Sequence, residues 1–240
     1  MNASAVLILN HLQSVADERA RRRADPSLAE RVVVVKRFQH ARFTLTYADA
    51  LAQPRFAAAA RFFLDDLYGP RDFSERDEQF ARIVGPLSRL FPEEIVATVA
   101  HLAELHALAE VLDGAMGTVL ATPALDAAHY VAAWQAVGQP EARERQVALM
   151  LAIGHAIDGY TRNPILRHSL RLMRAPAQAA GLAALQGFLE KGFETFRSMR
   201  GAEPFLHLVS TRERELIGLL FSASPAALAD GSDRVLGKLP

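Results

Sequence analysis

The sequence predicts an all-α, single-domain bundle of about ten helices joined by short loops. Three observations carry that expectation. Alanine, leucine, arginine and glutamate dominate the 240 residues, and each favours helix. The polar–apolar alternation of half-buried strands is almost absent. Cap residues and prolines recur at spacings that cut the chain into helix-length pieces. No repeat shows at solenoid periods, and the weak seam near Thr122 has no flexible linker.

The first helix is expected over 3–22. It ends in the Arg19–Arg23 cluster, where cations face the negative end of the helix dipole, so position alone accounts for them. Ser27-Leu-Ala-Glu30 has capping-box spacing and opens a helix over 27–52. Val32-Val-Val-Val35 is strand-like in isolation but lies inside this segment and reads as helix. The next helix, 54–68, puts Phe56, Ala59, Ala60, Phe63 and Leu67 on one face and Phe62 and Tyr68 elsewhere. Apolar on more than one side, it should be central. Ser74-Glu-Arg-Asp77 repeats the capping-box spacing before a helix over 74–90, with a kink expected at Gly85-Pro86. Glu93 and Glu94 follow Pro92 in the first turn of a helix over 92–120, where the dipole favours carboxylates. Thr122-Pro123 and Asn163-Pro164 each place a cap before a first-turn proline, opening helices over 123–137 and 164–174. Helices over 140–161, 178–199 and 204–222 complete a domain spanning 1–222. Residues 223–240, rich in Ala, Ser, Gly and Asp, are expected as a loosely ordered tail.

Composition excludes several classes of function. Half of the residues are hydrophobic, which rules out general disorder. Basic and acidic residues balance at 27 each, so no net charge draws the chain to nucleic acid or to an anionic membrane. With no cysteine, disulfides, thiolate nucleophiles and zinc–thiolate sites are unavailable. The N-terminus lacks the basic region and cleavage site of a signal peptide. The longest apolar run noted, 147–157, falls well short of the roughly 18 residues of a membrane span. The expected location is the cytoplasm. P-loop, Gly-x-Gly-x-x-Gly, Gly-x-Ser-x-Gly and His-Glu-x-x-His motifs are absent.

Three constellations could carry chemistry. Arg61 to Asp77 gathers four aromatics and three arginines with several carboxylates around one Gly-Pro break. Asp65 and Asp66 fall near a helix C-terminus, where anions need cationic partners. Arg61 is one turn away, and Arg71, Arg76 and Arg82 are close in sequence. The pattern fits a structural Asp–Arg network locking the Gly69-Pro70 turn, or a buried carboxylate pair for proton transfer or metal binding.

Second, His106, Glu110 and Asp113 are four and then three residues apart and share one helical face with Leu102, Ala109 and Met116. An inward-facing set of this kind suits a metal site or an acid/base relay. Further ligands could come from Asp126-Ala-Ala-His129 and His155-Ala-Ile-Asp158. The paired Glu-x-x-His motifs of di-iron bundles are missing, and ordinary hydrogen-bonded histidines give the same spacings. Any of the eight histidines could ligate haem, yet nothing isolates one in an apolar pocket. Third, Arg167, Arg171 and Arg174 form a basic stripe beside Leu166, Leu170 and Met173. Such a helix docks an acidic partner, a phosphorylated ligand or a membrane surface, or simply pairs with neighbouring acids.

The run Phe62-Phe-Leu-Asp-Asp-Leu-Tyr-Gly-Pro-Arg-Asp-Phe73 with Arg76-Asp77, Thr46-Tyr-Ala-Asp49 before it, and Leu170-Arg-Leu-Met-Arg174 and Gly181-Leu after it resemble an uncharacterised proteobacterial family. Its tag is Phe-Phe-Leu-x-x-Leu-Tyr-Gly-Pro-x-Asp-Phe, and the resemblance spans about residues 30–215. It implies an all-helical, cytoplasmic, single-domain protein. The family brings no assigned activity, so it transfers no site residue.

The sequence therefore points first to a non-catalytic helical protein binding a small hydrophobic ligand or a protein partner. The expected groove is Tyr47, Phe62, Tyr68 and Trp134, with Arg61 and Asp66 as polar anchors. The rival is a metal-dependent or acid/base enzyme using His106, Glu110 and Asp113 with His129, His155 or Asp158. Haem is the less favoured cofactor. A homodimer stays open, and no nucleic acid or membrane span is expected.

Overall fold

The computed structural model describes residues 3–67, 69, 73–121, 123–224, 227 and 238–240. The chain runs through α1 (Ala3–Ala24), α2 (Pro26–Thr46), α3 (Ala48–Ala52), α4 (Ala57–Phe62) and a π-helical turn (Phe63–Leu67). It continues through α5 (Ser74–Leu90), α6 (Glu93–Val119), α7 (Ala127–Val137), α8 (Pro140–Thr161), α9 (Pro164–Leu172), α10 (Arg174–Ala179), α11 (Ala183–Met199) and α12 (Glu203–Ser222). No strand occurs among the described residues. The architecture is the expected all-α bundle.

α6 is the axis of the fold and packs chiefly against α1, α2 and α8. Small residues in α6 and α8 let neighbours approach closely. A Cβ on Gly117 would lie 2.6 Å from Val32 Cγ2 of α2, and one on Gly154 of α8 would lie 2.5 Å from Leu206 Cδ2 of α12. α6 meets the length and composition of a membrane span, contrary to the sequence expectation that no segment does. Its contacts explain that apolarity differently. It buries Val96, Ala100, Ala103, Leu105, Leu112 and Met116 inside the bundle, and its acidic residues pair with α1, α2 and α8.

Several expected boundaries move for identifiable reasons. α2 starts at Pro26 because Asp25, not Ser27, is the cap; its carboxylate accepts from Leu28 N at 3.0 Å. The Ser27 hydroxyl accepts from Arg31 Nη1 instead. The expected 27–52 helix breaks at Tyr47 (φ −113°, ψ 23°), whose ring is fully buried. The expected 54–68 helix begins at Ala57 and widens into the π turn. It is central as expected, with Ala59, Ala60, Phe62 and Phe63 all buried. After it the chain folds back so tightly that a Cβ on Gly69 would lie 2.4 Å from the Asp65 carbonyl oxygen. α5 is capped by Phe73 without a side-chain bond, and Asp77 points inward. α5 remains helical through Pro86. α7 starts only at Ala127, where Asp126 accepts from His129 N at 2.8 Å; Thr122 lies outside the described residues. Asn163 caps α9 as expected, accepting from Ile165 N at 2.9 Å.

Most of the expected tail, 225–226 and 228–237, lies outside the described residues. Of the rest, Ala223 and Leu239 are buried against α7 and α12, and Lys238 pairs with Glu215 at 2.7 Å.

Candidate functional site

Three helical stripes face one another around a cavity of about 110 Å³. α2 contributes Lys36, Gln39, His40, Arg42 and Phe43, and α6 contributes His106, Ala109, Glu110 and Asp113. α8 contributes Arg143, Val147 and Met150. Spacings of three and four residues put each set on one side of its helix. Tyr130 and Trp134 of α7 and Glu213 and Ile217 of α12 close one end; Leu64, Leu67, Gly69 and Phe73 close the other.

Glu110 is 4 % exposed and bridges two helices. Lys36 Nζ donates to its Oε1 at 2.6 Å, and Arg22 Nη2 donates to its Oε2. Burial pushes the Glu110 carboxyl up, but the charges of Lys36 and Arg22 outweigh it and hold the pKa at about 2. Asp113, three residues on, moves the other way. Burial raises its pKa, and the neighbouring Glu110 charge adds to the effect; Lys36, 4.0 Å away, and Gln39 offset it only in part.

His106 turns toward α5. Its Nε2 lies 2.7 Å from Asp77 Oδ2, which also accepts from Arg19 Nη2 at 2.6 Å. An ionised carboxylate only accepts, so His106 donates from Nε2. Burial would raise Asp77, but the His106 hydrogen bond and the charges of His106, Arg76 and Arg19 hold it at about 2. His106 also lines a second cavity of about 70 Å³, with Leu12, Asp77, Phe80, Leu102 and Phe188. It is thus part of the wall of both.

At the α12 end, Arg42 Nη1 and Tyr47 OH both donate to Glu213 Oε1, at 2.7 and 2.8 Å. Burial and the Glu213 charge push the Tyr47 hydroxyl up. Arg143 is 4 % exposed and lies over Trp134, its guanidinium carbon 3.8 Å from the ring centroid. Burial lowers its pKa. Arg143 Nε and Nη2, Arg42 Nε and Trp134 Nε1 are buried and have no hydrogen-bond partner among the described residues.

The sequence-derived candidates are dispersed. Of the groove set, Trp134 lines the cavity and Tyr47 stands behind it holding Glu213. Phe62 is core, stacked on Phe188 at 5.5 Å. Arg61 is exposed on α4. Asp66 pairs with Lys191, and Asp65 lies 3.4 Å from His40 Nε2. Neither carboxylate has Arg61 as its partner; of the nearby arginines, Arg76 donates to the Asp66 carbonyl oxygen at 2.9 Å, and Pro70 and Arg71 lie outside the described residues. Tyr68 lies outside the described residues.

His106, Glu110 and Asp113 share the cavity wall, but they bond to α5, to α1 and α2, and to α2 respectively. His129 pairs with Asp126 and His155 with Glu203, both exposed. Asp158 accepts from Ala202 N and Arg162 Nη2. None of these last three lines the cavity. Among the described residues no group of three or more His, Asp and Glu side chains is placed to hold a metal ion. The Arg167, Arg171 and Arg174 stripe is matched by its neighbours: the first two pair with Glu194 at 3.3 Å and the third with Glu190 at 2.7 Å.

Sequence reasoning missed Lys36, Arg42, Arg143 and Glu213, and it gave Asp77 and the Arg19–Arg23 cluster only terminal roles. Arg19 and Arg22 in fact anchor Asp77 and Glu110.

Fold and site together define a helical bundle with a charged, aromatic-walled cavity at its centre. The chain belongs to the family described as a domain of unknown function, DUF8198, whose model matches residues 18–227. No curated protein and no solved structure matches the chain.

Proposed function

We propose that this protein binds a small molecule in the cavity between α2, α6, α7 and α8, without transforming it. The observation that supports the reading is the cavity itself. Its lining combines apolar side chains, Phe43, Leu64, Leu67, Phe73, Val147 and Met150, with charged and indole groups. Ligand sites combine those features. At about 110 Å³ the space is below the roughly 300–1,000 Å³ of drug-sized sites. The expected ligand is therefore a compact organic molecule with an apolar body. The resemblance drawn from the Phe62–Phe73 motif supports a bacterial, cytoplasmic setting.

The test is the native mass of freshly purified protein against its denatured mass, for wild type and for Ala109→Phe. Ala109 borders the cavity, so a phenylalanine there fills it without deleting core. An organic-sized excess in wild type that disappears in Ala109→Phe supports the reading. An equal excess in both would place the ligand elsewhere.

A specific observation favours a second reading. Glu110 and Asp113 are three residues apart and their pKa values are pushed in opposite directions, an arrangement that assigns base and acid in carboxylate enzymes. His106, oriented by Asp77, could complete a relay. Under this reading the retained mass changes on incubation, and Asp113→Asn keeps the ligand but stops the change.

A further inference from the structure

Arg143 differs from the other basic residues of the cavity. Lys36 is held by Glu110 and Arg42 by Glu213. His40 faces Asp65, and His106 faces Asp77. Arg143 forms no ion pair among the described residues, although it is 4 % exposed. The remaining acid, Asp113, acts on it through space and itself faces Lys36 and Gln39. A buried guanidinium without a counter-ion is unfavourable unless something else supplies the charge.

The geometry of the unpaired donors says what that is. Nε and Nη2 of Arg143 are buried without a hydrogen-bond partner, and they form one edge of the guanidinium plane. That edge matches the two oxygens of a carboxylate or phosphate. Its flat face is already used, lying over Trp134. Arg42 Nε and Trp134 Nε1 are also buried donors without a partner, and both residues line the same cavity. All four unpaired atoms are donors, so the missing group is an acceptor.

We propose that the cavity holds the oxyanion head of its ligand, a carboxylate, between Arg143, Arg42 and Trp134. The inference rests on the cavity-binding reading above. It assigns the ligand's class: a small organic acid whose body lies toward Phe43, Leu64 and Met150. The charge that neutralises Arg143 arrives with the ligand.

Trp134 is the single tryptophan of the chain, so its emission reports on the site alone. Wild type is titrated with sodium acetate, sodium benzoate and sodium phosphate at constant ionic strength, against a sodium chloride blank. Emission and melting temperature are followed. A saturable response to a carboxylate with Kd below roughly 10 mM is expected. Binding should weaken at least tenfold in Arg143→Lys, which keeps the charge but not the fork, and vanish in Arg143→Met. The anion-free melting temperature of Arg143→Met should equal or exceed that of wild type, since an unpaired buried charge has been removed. A stronger response to phosphate than to benzoate would keep the oxyanion but make its source a phosphate ester. Indifference of wild type to all three anions overturns the proposal. So does an Arg143→Met protein that melts several degrees lower yet binds unchanged. A retained neutral organic molecule with no anion response would sink this inference and leave the cavity reading standing. The absence of both would end both.

Discussion

The guanidinium carbon of Arg143 sits 3.8 Å from the centroid of the Trp134 ring. The contact joins a first-turn residue of α8 to the last full turn of α7. Both side chains are nearly buried, at 4 % and 7 % exposure. The indole also contacts Tyr130 and Phe221, at 6.0 and 5.7 Å between ring centroids. The same ring thus closes the apolar cluster of α2, α7 and α12 and carries the cation of the cavity.

Truncating that ring should be costly. Trp134→Ala is expected to lose about 3–5 kcal/mol of unfolding free energy, the range for large aromatic truncations in cores. Trp134→Phe should lose about 1–2 kcal/mol, because an aromatic face remains beneath Arg143. Urea unfolding followed by far-UV circular dichroism measures both.

Acid should unfold the protein through Glu110 and Asp77. Both have folded pKa values of about 2, against ordinary values of 4.5 and 3.8. A depressed carboxylate stabilises the fold above its unfolded pKa, and that contribution is lost as pH falls through the folded one. Stability should therefore drop between pH 4.5 and about 2. Glu110→Gln should flatten this limb and cost about 3 kcal/mol at pH 7, because Arg22 and Lys36 lose a buried counter-ion. Urea midpoints across the pH series report the slope.

Asp113→Asn should do the reverse. A raised carboxyl penalises the fold once the pH exceeds its unfolded value of 3.8. Asparagine approximates the protonated form, so the variant should be more stable than wild type at neutral pH. The gain should disappear below pH 3.8. A variant less stable than wild type at pH 7 would mean that Asp113 is needed as an anion.

Two glycines should respond oppositely to alanine. At Gly69 the new Cβ meets the Asp65 backbone carbonyl at 2.4 Å, and backbone cannot yield cheaply. Gly69→Ala should cost about 1–3 kcal/mol. Gly159 of α8 has nothing within 4 Å, so Gly159→Ala should gain about 0.5–1 kcal/mol from helix propensity alone. Thermal melts separate the two.

The helical segments were largely legible in the sequence because helix propensity is local, although Asp25 and Phe73 replace the expected caps Ser27 and Ser74. Asn163 and the Glu93–Glu94 pair needed no knowledge of other segments. The break at Tyr47 was not legible, since it follows from burying one ring and bonding its hydroxyl to Glu213, 166 residues away. The His106, Glu110 and Asp113 stripe was visible as an inward face, but its partners come from α1, α2 and α5. Arg22 read as a helix-end cation and Asp77 as a cap because their sequence neighbourhoods suit those roles. Arg143 was invisible: Pro140-Glu-Ala-Arg-Glu-Arg145 looks like a solvated first turn, and only packing against Trp134 shows otherwise. The charged aromatic stretch after Arg61 is unusual in sequence for a physical reason. It is both buried and ionic, but its described side chains divide among the core, the cavity wall and ion pairs with other helices.

The central claim is that the α2–α6–α7–α8 cavity binds a carboxylate through Arg143. A crystal structure of wild type grown with sodium benzoate tests it most directly. The account requires density for one carboxylate-bearing ring, its oxygens on Arg143 Nε and Nη2 and its ring toward Phe43 and Met150. Ordered water alone on Arg143, with benzoate absent from the cavity at saturating concentration, would contradict it.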